Sequence, residues 1–496
     1  MTRPLLYLAM AASLAGAQTN RPNVVVLVAD DMRWDAMSCA GNPVIKTPHI
    51  DRLAADGTLF RNAFVTTSIC AVSRASILTG QYARRHGIND FKTPIADIGT
   101  TYPSILRKNG YWTGFIGKWG TAQNDREYFK RCAGEFDFWA GDMGQTSYWH
   151  SKNCSYVTND GTANRVSAFC DCPKEARASD GVAGTAAHPA LGDPLHLETQ
   201  ILPAKIRSFL EQRDPHKPFC LSVSFKAPHG PWGGYAPSYA NRFEGANMPA
   251  RPNVSLDDAQ RQPDFLRASL ENERGLTFAT DPSVQGPLQA LQRQYYRLIE
   301  GLDSCVGDLL SELKKREALE NTVVIFTSDN GHFLGEHGFF GKWLMHEESI
   351  RVPLILSGPQ ALFAKKGQTC DEMALNIDIA ATVLDIAGIP PLPAMQGRTV
   401  LPQLREPTRP LRESFFYEHL YEHGPKPPRH IEPCEGVRMR HWKYIAYLKQ
   451  SGPGAEALFD LKNDPLEKTN VFPDPYYRER LIDMRQRTAT FRRSLK

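Results

Sequence analysis

Three short apolar runs constrain this chain more than any other feature. Asn23 to Ala29 reads NVVVLVA, Phe219 to Phe225 reads FCLSVSF and Thr322 to Thr327 reads TVVIFT. An unbroken β-branched run has no polar face to offer solvent, so it belongs to a strand covered on both sides, as in a parallel sheet between helices. The runs are followed by Asp30-Asp31, by Ala227-Pro228-His229-Gly230 and by Ser328-Asp329-Asn330-Gly331. Ligands of open α/β sheets sit beyond the carboxyl ends of the strands, so these three tails are predicted to converge on one site.

Amphipathic stretches between the runs predict helices at Ile50–Gly57, Ser73–Thr79, Tyr102–Asn109 and Tyr295–Ala318, and the alternation argues an α/β fold. Residues from about 140 to 195 and from 230 to 290 are rich in Gly, Pro, Asn and Ser and read as inserted loops that wall a cleft. Beyond the turn signals of Gly388 to Pro393, short strands are expected at Phe415–Tyr417, Lys443–Tyr447 and Ala457–Leu461, within a smaller C-terminal α+β unit. A chain of 496 residues has room for two cores. The expected division is a signal peptide at 1–17, a catalytic domain at 18–400 and a subdomain at 401–496.

The signal peptide rests on Arg3, the apolar stretch Leu5 to Leu14 and Ala15-Gly16-Ala17, which fits a cleavage site. Export is expected, to a periplasmic, secreted or lysosomal location according to the host. The stretch is well short of the roughly 20 apolar residues a bilayer needs, and no later segment reaches that length, so no membrane span is expected. The balance of 58 basic and 54 acidic residues, a net charge of +4 without like-charge runs, argues against nucleic acid as a partner. Ten cysteines are too sparse for a disulfide scaffold. Where Cys154, Cys170 and Cys172 crowd together, a local disulfide is favoured over a metal site, because Cys-x-Cys brings no second ligand pair.

Adjacent carboxylates at a strand end need positive charge nearby. Asp30-Asp31 together with Asp329-Asn330 offers oxygen ligands to a hard cation, calcium or magnesium, although Asp-Asp alone serves equally as a helix cap. Cys70 stands just before a predicted helix, with Arg74 one turn along it, where helix terminus and cation both stabilise negative charge. A buried cysteine with Arg74 on a solvated face is the alternative. These residues alone do not choose between the two.

Taken in order, Asp30-Asp31, Thr47 to Ala54 (TPHIDRLA), Cys70 to Gly80 (CAVSRASILTG), Gly117-Lys118-Trp119, Ser328-Asp329-Asn330-Gly331 and Leu458 to Pro465 (LFDLKNDP) are a series of motifs spread over the chain. Over about residues 22 to 470 they resemble the formylglycine-dependent sulfatases of the alkaline phosphatase superfamily. The resemblance implies a large mixed, mostly parallel sheet sandwiched by helices, alkaline phosphatase-like, with a smaller C-terminal α+β domain. It implies that a maturation enzyme oxidises Cys70 to formylglycine. One hydroxyl of the hydrated aldehyde would attack sulfur, and loss of a proton from the other would expel sulfate. It also implies one divalent cation, calcium by family likeness with magnesium as the alternative, held by Asp30, Asp31, Asp329, Asn330 and the modified Cys70. Arg74 and Lys118 match the basic residues beside the nucleophile. His229 and Lys342 match residues that bind sulfate and stabilise the leaving group, with His229 the expected proton donor. His332 and His337 flank the metal loop as substrate-side or supporting residues.

The expected function is that of an exported sulfatase acting on a sulfated carbohydrate. The alternatives are a phosphate or phosphonate ester hydrolase and an inactive binder of sulfated glycans. Two departures bear on this choice. Val72 stands where the family commonly has proline, and Gly120 stands where histidine commonly follows Gly-Lys-Trp, so the usual base for sulfate release is missing there.

Overall fold

The three apolar runs are neighbours in one sheet. In the computed structural model, which describes residues 21–123, 125–162, 172, 193–248, 251–270, 272, 275, 285–422 and 430–495, strand β1 (Asn23–Ala29) lies between β5 (Phe219–Ser224) and β6 (Thr322–Ser328), parallel to both. The expected signal peptide and Cys170 lie outside the described residues. The remaining strands of the sheet are β2 (Gly57–Phe64), β3 (Trp112–Lys118), β4 (Phe138–Asp142), β7 (Arg351–Val352), β8 (Leu354–Ser357) and β9 (Gln368–Leu375). Their order is β2-β8-β6-β1-β5-β3-β4, with β7 and β9 also paired to β2. Only β7 and β8 run antiparallel to their neighbours, which makes the nine-stranded sheet mixed and mostly parallel.

Side-chain alternation along β1 explains its unbroken apolar sequence. Val24, Val26 and Val28 enter one core, and Val25, Leu27 and Ala29 enter the other. Helices α1 (Pro48–Ala55), α4 (Leu202–Gln212) and α5 (Gln285–Lys315) cover the second face, while α2 (Cys70–Thr79), α3 (Tyr102–Lys108) and α6 (Asp378–Ile386) cover the first. Helix α2 begins three residues before the predicted start. All ten of its side chains are buried, so the apolar period that marks a half-exposed helix is missing from its first turn.

The C-terminal sheet is antiparallel, in the order β10 (Ser414–His419), β11 (Cys434–Met439), β12 (Trp442–Tyr447), β13 (Glu456–Asp460), and α7 (Arg478–Ser494) packs against it. Phe415, Phe416, Tyr417, Val437 and Ile445 belong to the same core as the first face of the large sheet, and the rings of Phe64 and Phe415 lie 5.0 Å apart. Fully buried Lys443 forms ion pairs with Glu347 at 2.9 Å and Glu467 at 2.6 Å, tying this sheet to the helical turn Glu347–Ile350 that precedes β7.

Candidate active site

The strand tails are joined to one another by backbone hydrogen bonds. Asp30 N–H donates to the Ala227 carbonyl at 3.1 Å and Asp329 N–H to the Ala29 carbonyl at 3.0 Å. Asp31 turns the chain off β1 in the left-handed region (φ 65°), a conformation Asp adopts more readily than most residues, and its N–H donates to Asp329 Oδ1 at 3.2 Å. Aspartates 298 positions apart thereby face each other, buried, at the carboxyl ends of two adjacent strands.

Cys70 is buried in the first turn of α2. Its Sγ, an oxygen of Asp30 and an oxygen of Asp329 lie within 4.8 Å of one another. Arg74, one turn along α2, bonds Asp329 Oδ2 through Nε at 2.8 Å and the Lys118 carbonyl through Nη1 at 3.1 Å, and also reaches the Ser224 hydroxyl. Lys118, fully buried at the end of β3, pairs with Asp30 and donates to Gln145 Oε1 at 2.8 Å. Lys342 Nζ bonds Asp31 Oδ1 at 2.5 Å and Asn330 Oδ1 at 3.3 Å. His229 Nε2 stands 3.7 Å from Asp31 Oδ2, and its Nδ1 stands 2.8 Å from the Gly230 carbonyl, which makes Nδ1 the protonated nitrogen. All the residues expected from the sequence, Asp30, Asp31, Cys70, Arg74, Lys118, His229, Asp329, Asn330 and Lys342, are gathered here.

The two other histidines part company. His332 stays beside Asp31, with its ring edge-on to Trp232. His337 is carried away from the site, where its Nε2 meets Asn253 at 3.1 Å and its ring packs 4.8 Å from His346. Two residues escaped sequence reasoning. Gln145, in a stretch without periodicity, puts Nε2 3.9 Å from Cys70 Sγ, and Ser224 is a polar side chain inside an apolar strand.

Burial alone would push Asp30 up, but Lys118, His229, Arg74 and Lys342 together hold it well below the usual carboxylate range. Asp31, desolvated in the same way, is brought down to about 2 mainly by Lys342 and His229. Asp329 goes the other way, to about 7, because burial and the charge of Asp30 outweigh Arg74. Desolvation, the largest effect on it, lowers His229 to about 4, so its ring is neutral at pH 7 and presents a bare Nε2.

These donors fit a hard divalent cation. Three carboxylates and the Asn330 amide supply only oxygens, and Asp30 Oδ1, fully buried, has no hydrogen-bond partner among the described residues. With the carboxylates ionised, Asp30, Asp31 and Asp329 balance Arg74, Lys118 and Lys342, so a further positive charge is what makes the site attractive to an anion.

A mixed sheet with acidic strand tails set against buried basic side chains defines a hydrolase of the alkaline phosphatase-like superfamily. The family model described as sulfatase matches residues 22–389, and a second, described as N-sulphoglucosamine sulphohydrolase, C-terminal, matches 335–494. The chain belongs to the sulfatase family and is a sulfuric ester hydrolase. It is 28% identical to an N-acetylglucosamine-6-O-sulfatase of Bacteroides thetaiotaomicron, across 97% of this chain and 88% of the relative. A structure solved in complex with its substrate D-glucosamine-2-N,6-O-disulfate superposes with a TM-score of 0.75 at 25% identity, covering 96% of this chain and 98% of that one. The phosphonate monoester hydrolase of Agrobacterium radiobacter shares the fold, with a TM-score of 0.74 at 22% identity and 96% of each chain covered.

Proposed function

We propose that this protein is an exported sulfatase that removes sulfate from a glucosamine-type carbohydrate, using formylglycine at position 70 and one divalent cation, calcium. The observation that carries the reading is the convergence of Cys70 with Asp30, Asp329, Arg74 and Lys118 in one buried cluster. The sugar class rests on the names of the relatives, N-acetylglucosamine-6-O-sulfatase and a protein bound to a glucosamine disulfate. Export rests on the Arg3 to Ala17 pattern. Among the described residues no helix is long and apolar enough to cross a membrane. A boundary near residue 400 between catalytic domain and C-terminal subdomain is supported by the antiparallel sheet that starts at Ser414.

Asp30, Asp31, Asp329, Asn330 and the modified residue 70 would hold the cation, which supplies Lewis-acid polarisation of a sulfate oxygen. Arg74 and Lys118 face the equatorial oxygens with fixed charge, because Asp329, Ser224 and Gln145 leave them little freedom. Lys342, held charged by Asp31 and Asp30 against the effect of burial, serves the leaving-group side. His229 accepts a hydrogen bond at Nε2 when neutral. To act as the proton donor it must first take up a proton there, which an arriving sulfate anion favours.

The test is the mass of the tryptic peptide Asn62 to Arg74 (NAFVTTSICAVSR), together with sulfate release from an aryl sulfate by the native chain and its Cys70→Ala variant. Formylglycine at position 70 and turnover lost in the variant are expected. An intact thiol beside a converted control motif, without turnover, would replace hydrolysis by sulfated-glycan binding.

A further inference from the structure

Beside the active-site wall lies a second side-chain cluster that sulfate hydrolysis does not use. His150 ends the short strand Trp149–His150, which pairs with Leu195–His196, and Cys154 precedes the helical turn Ser155–Thr158. Cys172, distant in sequence, returns to the same place. His150 Nδ1, Cys154 Sγ and Cys172 Sγ all lie within 4.8 Å of one another, and the first two are 3.8 Å apart. The sequence offered Cys-x-Cys without further ligands. The fold supplies the imidazole.

The orientation of that imidazole is specific. His150 is fully buried, and its Nε2 stands 2.9 Å from the Ser147 carbonyl, so Nε2 carries a proton and Nδ1 is the nitrogen turned to the sulfurs. Anchoring the distal N–H on a backbone carbonyl is how metal-ligating histidines are held. Ser151 N–H donates to Cys172 Sγ at 3.2 Å, which ties that sulfur to the backbone of the residue next to His150. On a zinc tetrahedron, with Zn–S about 2.3 Å and Zn–N about 2.0 Å, ligand atoms lie roughly 3.5 to 3.8 Å apart. The 3.8 Å between His150 Nδ1 and Cys154 Sγ is already at the upper end of that range.

We propose that His150, Cys154 and Cys172 supply three ligands to a zinc ion, with water in the fourth position, at a site separate from the oxygen-lined site of the catalytic cation. The ion would pin the segment that carries Gln145, the residue reaching Cys70 and Lys118, and Tyr148, whose hydroxyl donates to the His229 carbonyl at 2.6 Å. Thiolate ligands and oxygen ligands select different metals, so the two sites are distinguishable by ion.

The experiment uses the full chain with Cys70→Ala, so that no thiolate signal can come from the active site. Cobalt(II), added after chelation, should give a near-ultraviolet thiolate-to-metal charge-transfer band that saturates at one equivalent, is displaced by zinc and is lost in C154S/C172S. A second readout needs no change at the cluster: zinc should slow alkylation of Cys154 and Cys172, followed peptide by peptide, at least about ten-fold. Cobalt binding without the charge-transfer band, or equal alkylation rates with and without zinc, would overturn the site. So would a non-reducing digest of the purified protein in which Cys154 is joined to Cys172 or to Cys170.

Discussion

A Cβ built on Gly120 falls 2.6 Å from Cδ of Arg74. The stem of the arginine therefore fills the space in which any side chain at position 120 would begin, and the backbone there (φ 92°) is one that suits glycine. From the sequence, Gly120 reads as a missing base. In the fold it is the clearance that lets Arg74 reach Asp329. Gly120→His should accordingly lower kcat/KM by about 100-fold, the scale of a lost oxyanion donor, rather than restore a base. Steady-state kinetics on an aryl sulfate decide, and a variant faster than the parent would show that the base was what the site lacked.

Asp329 holds Arg74 and is also a proposed cation ligand. Asp329→Asn keeps the volume but removes the charge that Arg74 Nε meets at 2.8 Å. Turnover should fall by at least about 100-fold with the fold retained. Calcium content and far-ultraviolet circular dichroism, measured together, separate loss of the ion from loss of structure. Full activity in the variant would mean that the ligand set is wrong.

Gln145 touches both Lys118 and Cys70 without carrying charge. Gln145→Ala should cost about ten-fold in kcat/KM through misplacement of these groups, with thermal stability little changed. An unchanged kcat/KM would make the glutamine a bystander.

Lys443 is fully buried between Glu347 and Glu467. Lys443→Met removes the ammonium that Glu347 and Glu467 share and leaves Glu347 only Arg438, and breaking a buried pair in this way costs about 3–5 kcal/mol. Because the small sheet shares the core of the large one, urea unfolding of the parent should show one transition, and that of the variant the same transition at lower urea. Two separated transitions in the parent would show that the sheets unfold independently.

His419 is fully buried, with neither ring nitrogen partnered among the described residues, and burial lowers it to about 3. His196, also buried, is lowered to about 4. Unfolding returns each ring to roughly 6.5, so the unfolded chain binds more protons between these values. Stability is fully present above pH 6.5 and is lost as pH falls through the folded values, about 4 for His196 and about 3 for His419, at up to about 1.4 kcal/mol per pH unit for each ring. Urea midpoints at pH 7 and pH 5 measure the slope, which His419→Leu should flatten. An unchanged slope would assign the acid sensitivity to other groups.

Much of this protein was legible in local sequence. The NVVVLVA, FCLSVSF and TVVIFT runs announced central strands because a strand buried on both faces must be apolar at every position, and Asp30, Asp31, Asp329 and Asn330 stood at the strand ends where a sheet presents its ligands. Three of the four C-terminal strands, at Ser414–His419, Trp442–Tyr447 and Glu456–Asp460, were likewise visible as short apolar pieces set off by turns, whereas Cys434–Met439, with Glu435 and Arg438 inside it, carried no such signal. The start of α2 was not, because a helix buried on every side has no amphipathic period. Gln145 had no signal either, nor could His150 be matched to Cys172, nor His337 be told from His332, two neighbours of like chemistry that the loop sends to different places. Sequence by itself determined which segments must be buried and which residues could do chemistry, because burial and side-chain type are local properties. Tertiary structure decided which of those residues meet, and that Gly120 makes room for Arg74, because distances between residues far apart in the chain depend on the path of the whole backbone.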